Sequence, residues 1–406
     1  MQRRTFFINS VALAVTETLF AQTNKVTAEF PAKPLEDRSR KIKVGFVGGG
    51  GRGHWIAGLF KAHGGYEAVA VADYFQPVAD KLGDVFGVAR DKRFSGLSGY
   101  KRVIESGIEA LVIEDVPYFY PEQASAAVAA GLHVYIAKPV AVDVPGTLAI
   151  GEAGKAAKQK ERVFLVDYQI PTDPFNSEVA QRIQAGGLGP LAQVQTYGIS
   201  NGFSDPPKTE TIESRLRGLI WVNDVALGCD NIGNYDIHAI DAAIWVLKQR
   251  PISAVGNSRI CRKEPHGDGR DVISLVYEYA DGVIHNHYGT ELKNNSECIL
   301  RATFSGRDAN AQVIYGGKAF LRGGSQHYGG GTVENLYKAG AERNIASFYR
   351  DIINARYENE TVPRAVDGTL ACILGREAAA RGCKLTMKEL LAENRKLDVD
   401  LKGLKD

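Results

Sequence analysis

The sequence predicts an α/β protein with an N-terminal doubly wound parallel sheet, followed by a second α/β domain. Between residues 41 and 165, short apolar runs alternate with helical segments through short connections, which is typical of parallel βα units. The chain has 406 residues, whereas a single hydrophobic core usually stops growing near about 250 to 300 residues. The remaining length therefore predicts a second domain over residues 166–395.

The overall composition is that of an ordinary globular protein. Apolar residues make up 44% of the chain and charged residues 24%, and the formal net charge is +2. So small a charge gives no electrostatic case for a nucleic-acid partner. The five cysteines are scattered without C-x-x-C spacing, which argues against a zinc site or a disulfide framework. We therefore expect neither a metal nor a nucleic acid as a partner.

The first residues have the layout of a twin-arginine export signal. Arg3-Arg4 precedes two phenylalanines, a short weakly apolar stretch and Ala21, which predicts a periplasmic protein. Glu17 and the lack of an A-x-A site depart from that pattern, so a cytoplasmic basic tail is the alternative. No other segment approaches the roughly 18 apolar residues of a membrane span. Residues 1–40 are predicted to be this signal with a linker or arm, and residues 396–406 a tail.

A glycine-rich turn follows the first predicted strand in "KIKVGFVGGGGRGHWIAGLF". Gly48, Gly50 and Gly53 satisfy G-x-G-x-x-G. The first glycine permits the turn, the second lets backbone approach a pyrophosphate, and the third lets helix and strand pack closely. The amides at the helix N-terminus then face the phosphates. This pattern indicates a Rossmann domain that binds a dinucleotide.

An acidic residue at the end of the second strand indicates which dinucleotide. Residues 68–72 form an apolar run that ends in Asp73, 20 residues after Gly53. A carboxylate at this position accepts hydrogen bonds from the adenosine ribose and repels a 2′-phosphate. The sequence therefore favours NAD over NADP.

Three further strands and two helices are predicted along "GIEALVIEDVP", "PEQASAAVAAGL", "HVYIA", "VPGTLAIGEAGKAAKQK" and "RVFLVDYQ". Ligands of doubly wound sheets bind outside the carboxyl ends of the strands. Strand ends carry Lys138, Pro117 to Tyr120, and Tyr168 to Gln169. The predicted cofactor contacts are Gly48, Gly50, Gly51, Arg52, Gly53, Asp73, Pro117, Tyr120 and Lys138.

The glycine turn, "AGLHVYIAKPVAVD" and "GCDNIGNYDIHAIDAAIWVL" together resemble the Gfo/Idh/MocA oxidoreductases, which include glucose-fructose oxidoreductase and inositol dehydrogenases. The resemblance covers about residues 41 to 390. It implies that the second domain has a large, mostly antiparallel open-faced sheet, binds a sugar or cyclitol, and supports a homo-oligomer, a dimer or tetramer.

One strand-end motif departs from that family. Relatives usually have Glu-Lys-Pro, with the lysine near the nicotinamide and the reacting carbinol, but this chain has Ala137-Lys138-Pro139. An ammonium group in a partly apolar cleft has a lowered pKa, and loss of a carboxylate lowers it further. Our hypothesis is that Glu114 or Asp115 replaces the missing acid.

A second group of candidates lies in "NYDIHAIDAAIWVL". Asn234, His238, Asp241 and Trp245 share one face at helical spacing, which is by itself equally typical of a solvated helix surface. By the resemblance, His238 matches a catalytic histidine. Asn234 occupies the position of the aspartate that usually accompanies it, so Asp236 or Asp241 is the candidate replacement.

These residues suggest hydride transfer between NAD and a secondary hydroxyl of a sugar, glycoside or cyclitol. His238 removes the hydroxyl proton and Lys138 stabilises the developing charge, but a lysine of lowered pKa exchanges these roles, and the sequence does not separate the two cases. Two alternatives stay open: a redox-neutral glycosidase that transiently oxidises C3, and a non-catalytic NAD-binding protein. An exported enzyme is expected to hold its NAD tightly and recycle it in place.

Other polar residues are weaker candidates. Five are expected beside substrate hydroxyls: Tyr168, Gln169, Thr172, Trp221 and Asn223. His285 and His287 alternate on one side of a predicted strand without a third metal ligand, so a sheet surface or a subunit interface is the better interpretation.

Overall fold

A computed structural model describes residues 37–406. The predicted twin-arginine signal lies outside the described residues. No helix within them is long and apolar enough to cross a membrane.

The first part of the chain forms a six-stranded parallel sheet with strand order β3-β2-β1-β4-β5-β6. Its strands are β1 Ile42–Val47, β2 Tyr66–Asp73, β3 Arg93–Ser95, β4 Ala110–Ile113, β5 His133–Ile136 and β6 Phe164–Val166. The helices between them are α1 Gly51–His63, α2 Gln76–Phe86, α3 Gly99–Ile104, α4 Tyr120–Ala129 and α5 Val144–Gln159. Every residue of β4, β5 and β6 is buried, because helices cover both faces of a doubly wound sheet.

The second part contains an eight-stranded sheet. Its strands are β7 Leu191–Ser200, β8 Ser253–Arg259, β9 Val272–Glu278, β10 Ile284–Glu291, β11 Ile299–Gly306, β12 Ala309–Ile314, β13 Phe320–Gly323 and β14 Leu385–Thr386. The accompanying helices are α6 Pro174–Gln184, α7 Val225–Gly228, α8 Ile237–Leu247, α9 Leu336–Ile353, α10 Thr361–Arg381 and α11 Met387–Glu393. The strand order is β13-β12-β11-β7-β10-β9-β8-β14.

The large sheet is mostly antiparallel, and its central strands β7 and β10 pair in parallel. Helices α8 and α10 pack on one face, while residues such as Ile284 and Tyr288 on the opposite face stay exposed. A parallel doubly wound sheet followed by a large, mostly antiparallel sheet is the architecture that the sequence predicted, so the predicted fold class is confirmed.

The prediction for His285 and His287 was wrong. Both side chains are buried, and Thr196 Oγ1 lies 2.6 Å from His285 Nε2 and 2.9 Å from His287 Nδ1. His287 Nε2 donates to Asp236 Oδ2 at 3.0 Å. The alternation of β10 directs these histidines to the helix-covered face rather than to the open one, and alternation alone does not tell the two faces apart.

Helix α9 follows β13 of the large sheet in the chain but packs against α1 of the first part. Phe348 and Tyr349 of α9 share a hydrophobic cluster with Phe60, Tyr66 and Tyr135. Because α9 runs beside α1, residues near its start reach the region beyond the glycine turn. The structure thus brings a late segment of the chain to the predicted cofactor site.

Candidate active site

The glycine turn between β1 and α1 has two glycines that the backbone requires. Gly48 has φ of +88°, and a Cβ at Gly53 would overlap the Gly48 carbonyl oxygen. Gly50 and Gly51 differ, because an added Cβ would meet no described atom within 4 Å. No side chain in the described range caps the N-terminus of α1. The turn therefore leaves open space and free helix amides, which fits a pyrophosphate.

Asp73 at the end of β2 is held by the backbone. It accepts hydrogen bonds from Gly49 N at 2.8 Å and Phe75 N at 2.9 Å, and burial raises the pKa of its carboxyl despite these bonds. Beside it lies a small cavity of about 40 Å³, whose lining includes Tyr74, Gly96, Leu97, Asp115, Gln123 and Leu216. A carboxylate at this strand end is the group that binds the adenosine ribose in doubly wound folds.

Two residues near this cavity were predicted to contact the cofactor from the end of β4. Pro117 and Tyr120 are both buried, Tyr120 at 2% exposure. Pro117 opens a short 3₁₀ turn and Tyr120 begins α4, while the cavity wall is formed by their neighbours Val116 and Phe119. Both therefore support the wall of the site from behind.

Arg52 leaves the glycine turn and joins an ion-pair network. Its Nε donates to Glu114 Oε2 at 3.1 Å, its Nη2 pairs with Asp167, and its Nη1 donates to Tyr337 Oη at 2.8 Å. The guanidinium also lies 5.8 Å from the ring centroid of Trp55. The side chain thus faces the strand ends of β4 and β6, toward Lys138.

Asp167 is a site residue that the sequence analysis missed. It directly follows β6, is fully buried, and accepts a hydrogen bond from Asn344 Nδ2 at 2.7 Å. Its position after a buried strand, next to the predicted Tyr168, was the available signal.

Lys138 stands at the end of β5 and bridges to the second part of the chain. Its Nζ donates to the backbone carbonyl of Asn234. Burial, and then the charge of Arg52, lower the pKa of Lys138 to about 7, while Asp167 and Glu114 oppose this shift. Lys138 therefore titrates near neutral pH.

The structure separates the two carboxylates that were proposed to replace the missing glutamate. Glu114 belongs to the surroundings of Lys138, and burial raises its own pKa to about 7 against the pull of Arg52. Asp115 faces the other way: its Oδ2 accepts from Gln123 Nε2 at 2.7 Å, and burial and Asp73 raise its pKa to about 6. The part of the hypothesis that concerns Asp115 was wrong.

His238 lies on α8 and is only 8% exposed. Its Nδ1 has no hydrogen-bond partner among residues 37–406. The ring packs against Tyr315 at 5.3 Å and Tyr168 at 6.2 Å between centroids. Burial, and then the charges of Lys138 and Arg52, lower the pKa of His238 well below its ordinary value. The imidazole is therefore neutral at pH 7 and offers a free nitrogen.

The three residues expected to support His238 act elsewhere. Asn234 contributes its carbonyl to Lys138, Asp236 binds His287, and Asp241 pairs with Arg364 Nε at 2.9 Å. The prediction that Asp236 or Asp241 replaces the missing carboxylate was wrong. The reason is that both carboxylates are engaged by other partners, so neither reaches His238. A π-helical turn, Ile232–Asp236, precedes α8 and interrupts the regular helical spacing at Asn234 and Asp236.

The weaker candidates divide into two groups. Tyr168 contacts His238, and Gln169 Oε1 accepts from Tyr315 Oη at 3.1 Å, so both lie at the site. Thr172 Oγ1 closes its own turn by donating to the Gln169 carbonyl at 2.7 Å, and the Thr172 carbonyl accepts from Arg343 Nη1 at 3.2 Å.

Trp221 and Asn223 make contacts within their own region of the chain. Asn223 Nδ2 donates to Ser204 O at 2.9 Å, and Trp221 packs beside Gly228. No hydrogen bond or ring contact seen among residues 37–406 joins either of them to Lys138 or His238, so their place beside the substrate stays a prediction. Tyr315, which does contact His238, was not predicted, because it follows β12 far along the chain.

A parallel sheet with a glycine turn, joined to an open eight-stranded sheet that carries the histidine helix, is the architecture of the Gfo/Idh/MocA oxidoreductases. The chain has this fold, which confirms the resemblance seen in its sequence motifs. No protein-family model matches the chain.

By sequence, the chain is similar to an inositol dehydrogenase. The chain is 27% identical to inositol 2-dehydrogenase 3 of Saccharopolyspora erythraea over 215 residues, a match that covers 52% of this chain and 56% of that relative. The matched region thus spans little more than half of the relative's length.

Two solved structures share the fold along nearly their whole length. The aldose-aldose oxidoreductase of Caulobacter crescentus, complexed with glycerol, is 17% identical with a TM-score of 0.68, and the match covers 86% of this chain and 100% of that one. Levoglucosan dehydrogenase, in complex with NADH and L-sorbose, is 16% identical with a TM-score of 0.70, again over 86% of this chain and 100% of the other.

Proposed function

We propose that this protein is an NAD-dependent oxidoreductase that acts on a secondary hydroxyl of a sugar, glycoside or cyclitol. The observation that carries the proposal is the pair of Lys138 and His238, from different parts of the chain, at the carboxyl edge of the parallel sheet. One titrates near neutrality and the other keeps an unpartnered buried nitrogen. The relatives named above, which include an inositol dehydrogenase and a structure with bound NADH, support the substrate and cofactor classes.

The residues that hold NAD in this proposal are those of the glycine turn and Asp73. Free amides of α1 bind the pyrophosphate, and the Asp73 carboxylate accepts hydrogen bonds from the ribose hydroxyls. When bound, NAD supplies a hydride acceptor. Because the Asp73 carboxylate would repel a 2′-phosphate on this ribose, the site favours NAD over NADP.

Lys138 is the proton acceptor in this proposal. A general base works best when its pKa lies near the working pH, and burial tunes lysines to about 7 to 8 for this role. The neutral amine of Lys138 takes the hydroxyl proton as hydride leaves the same carbon. His238 holds the hydroxyl through its free Nδ1, and Tyr168, Tyr315 and Gln169 surround it. The lowered pKa of Lys138 supports the assignment of Lys138 as the base over the assignment of His238.

The test is a substrate screen with purified protein. Sugars, cyclitols and chromogenic glycosides are incubated with NAD⁺, and absorbance of NADH and release of aglycone are followed together. NADH formation in proportion to substrate consumed supports the proposal. Aglycone release without NADH accumulation would instead indicate redox-neutral glycoside cleavage, and NAD binding without turnover of any compound would indicate a binding protein.

Substitutions in the glycine turn are expected to separate folding from cofactor binding. Gly50→Ala adds a methyl group to open space, so the melting temperature should stay within a few degrees, but the methyl occupies room for the pyrophosphate and the Kd for NAD should rise at least about 10-fold. Gly53→Ala collides with backbone and should lower stability by about 2 kcal/mol or more. Calorimetric titration and thermal unfolding measure both effects, and equal Kd values for Gly50→Ala and wild type would contradict the cofactor site.

Two members of the ion-pair network, Arg52 and Asp167, are expected to shift the pKa of Lys138 in opposite directions. Arg52→Gln removes a cation that lowers this pKa, so the pH at which kcat/KM reaches half its maximum should move up; Asp167→Asn removes an anion, so it should move down. We expect shifts of about 0.5 to 1 pH unit each. Breaking a buried pair costs about 3 to 5 kcal/mol, so unfolding curves accompany the pH profiles. Shifts in the same direction would contradict this account.

We also propose that the protein assembles through the open face of its large sheet. Val255, Ile284 and Tyr288 are 41%, 47% and 42% exposed on that face, and patches of exposed apolar side chains mark association sites. A mass from light scattering equal to one chain would contradict this.

Export through the twin-arginine pathway, with NAD carried tightly bound, is likewise a proposal. It is supported by Arg3-Arg4 in the sequence. Cell fractionation of wild type and an Arg3→Lys, Arg4→Lys variant tests export, and assay of NAD(H) released on denaturation tests tight binding.

A further inference from the structure

The segment 396–406, predicted to be a tail, packs against the first sheet next to Asp73. The backbone amide of Leu97 donates to the Lys405 carbonyl at 3.0 Å, and the Lys405 amide donates to Tyr74 Oη at 3.0 Å. Lys405 Nζ donates to Ser95 Oγ at 2.7 Å. Three hydrogen bonds thus fix one end of the segment to β3 and the loops beside it.

The other end of the segment is anchored as well. The Leu397 amide donates to Asp143 Oδ2 at 2.8 Å, and its side chain packs against the main hydrophobic cluster. Asp143 also caps α5, accepting from Gly146 N at 2.8 Å. A segment fixed at both ends crosses the surface as a strap, the name we use for residues 396–406.

A second element meets the strap at the same place. Leu216, at the end of a 3₁₀ turn in the second part of the chain, lines the cavity beside Asp73. The guanidinium of Arg217 lies 3.9 Å from the ring centroid of Phe75. A Cβ at Gly403 of the strap would lie only 2.9 Å from Thr211 Cγ2, so the two elements touch.

The residues that the strap contacts are themselves walls of the adenosine-side cavity. Tyr74 and Leu97 line it, as does Gly96, whose Cα has no room for a side chain because the Asp406 backbone lies against it. Arg217 also places a positive charge near the Asp73 carboxylate, which lowers the pKa that burial raises. Leu216 therefore forms part of the cavity wall itself, and the strap holds three other wall residues, Tyr74, Gly96 and Leu97, in place.

We propose that the strap, together with Leu216 and Arg217, completes the adenosine half of the dinucleotide site and slows NAD release. This inference rests on the proposed function, since it takes the cavity beside Asp73 to hold the adenosine of NAD. The strap fixes Tyr74 and Leu97 in the wall through hydrogen bonds, so a bound adenosine leaves more slowly than it would past an unsupported wall. Both association and dissociation are then slow, and the strap contributes to holding the cofactor through many turnovers.

The experiment measures NADH dissociation by stopped-flow fluorescence, with excess NAD⁺ as the displacing ligand. In a chain ending at Lys402, which lacks Gly403, Leu404, Lys405 and Asp406, dissociation should be at least about 10-fold faster than in the full chain, because the hydrogen bonds of Lys405 are lost. Tyr74→Phe removes one of these bonds and should accelerate release about 3- to 5-fold. Lys396→Ala is the matched control: its side chain is 66% exposed and pairs only with Asp398 among the described residues, so release should be unchanged.

Thermal unfolding of each variant shows whether the shortened chain is folded, and Tyr74→Phe carries the test if it is not. Release rates of the shortened chain and Tyr74→Phe equal to that of the full chain would overturn the strap. A full chain that binds no NADH at all would overturn the proposed function, and with it the role of the strap. This result differs from equal release rates, which would overturn the strap alone.

Discussion

Replacement of Lys138 by arginine is expected to reduce kcat/KM about as far as replacement by methionine, by roughly 10²- to 10⁴-fold. Arginine keeps the positive charge but does not lose its proton at any working pH, so it cannot accept the hydroxyl proton. If Lys138 only stabilised negative charge, arginine would restore a large part of the activity. The two variants therefore separate the two roles directly.

The wild-type pH profile gives an independent check. Because the pKa of Lys138 is lowered to about 7, most of the lysine is protonated below pH 7 and cannot act as a base. The value of kcat/KM for hydroxyl oxidation should rise with pH through about 7 and level off above it, and this rise should be absent in Lys138→Met. A rate that falls through pH 7, or an arginine variant with more than a tenth of wild-type activity, would assign the base to His238.

His238→Ala is expected to lower kcat by about 10²- to 10³-fold while the Kd for NAD stays within about 2-fold. The free Nδ1 is the observation that predicts this, since a buried nitrogen without a partner in the described chain is satisfied by the substrate hydroxyl. His238→Asn keeps a hydrogen-bonding group near the same place and should retain more activity than alanine. His266→Asn, a change at an exposed histidine, is the control.

Full activity of His238→Ala would show that His238 has no role in catalysis. The neighbouring Tyr168 and Tyr315 would then be the groups that hold the substrate hydroxyl, and Tyr315→Phe would become the informative variant. If the wild-type protein binds NAD but converts no substrate, the result would support the alternative of a non-catalytic NAD-binding protein.

Much of the first sheet was predictable because its signals are local. The glycine turn, Asp73 at a strand end and Lys138 at another each follow from a few consecutive residues, and the parallel order then brings their positions to one edge. His238 was found only because its helix resembles that of a known family; its polar stripe alone was equally typical of a solvated surface.

What the sequence did not show depends on contacts between distant segments. Asp167 pairs with Arg52 across 115 positions, and Lys405 meets Tyr74 across 331; no spacing rule connects such residues. The π-helical turn escaped prediction because regular periodicity assumes one hydrogen-bond pattern throughout. It is this turn that directs the carbonyl of Asn234, rather than a carboxylate, to the lysine.

The parallel pairing of β7 and β10 places the histidine helix away from the edge strands of the large sheet. Parallel neighbours require a crossover over one face of the sheet, and the chain between these two strands contains the π-helical turn and α8. The histidine helix consequently packs on β7 and β11, away from both edges of the sheet. Outer strands such as β13 and β14 are then free to change length, sequence or subunit contacts while the reacting groups keep their spacing.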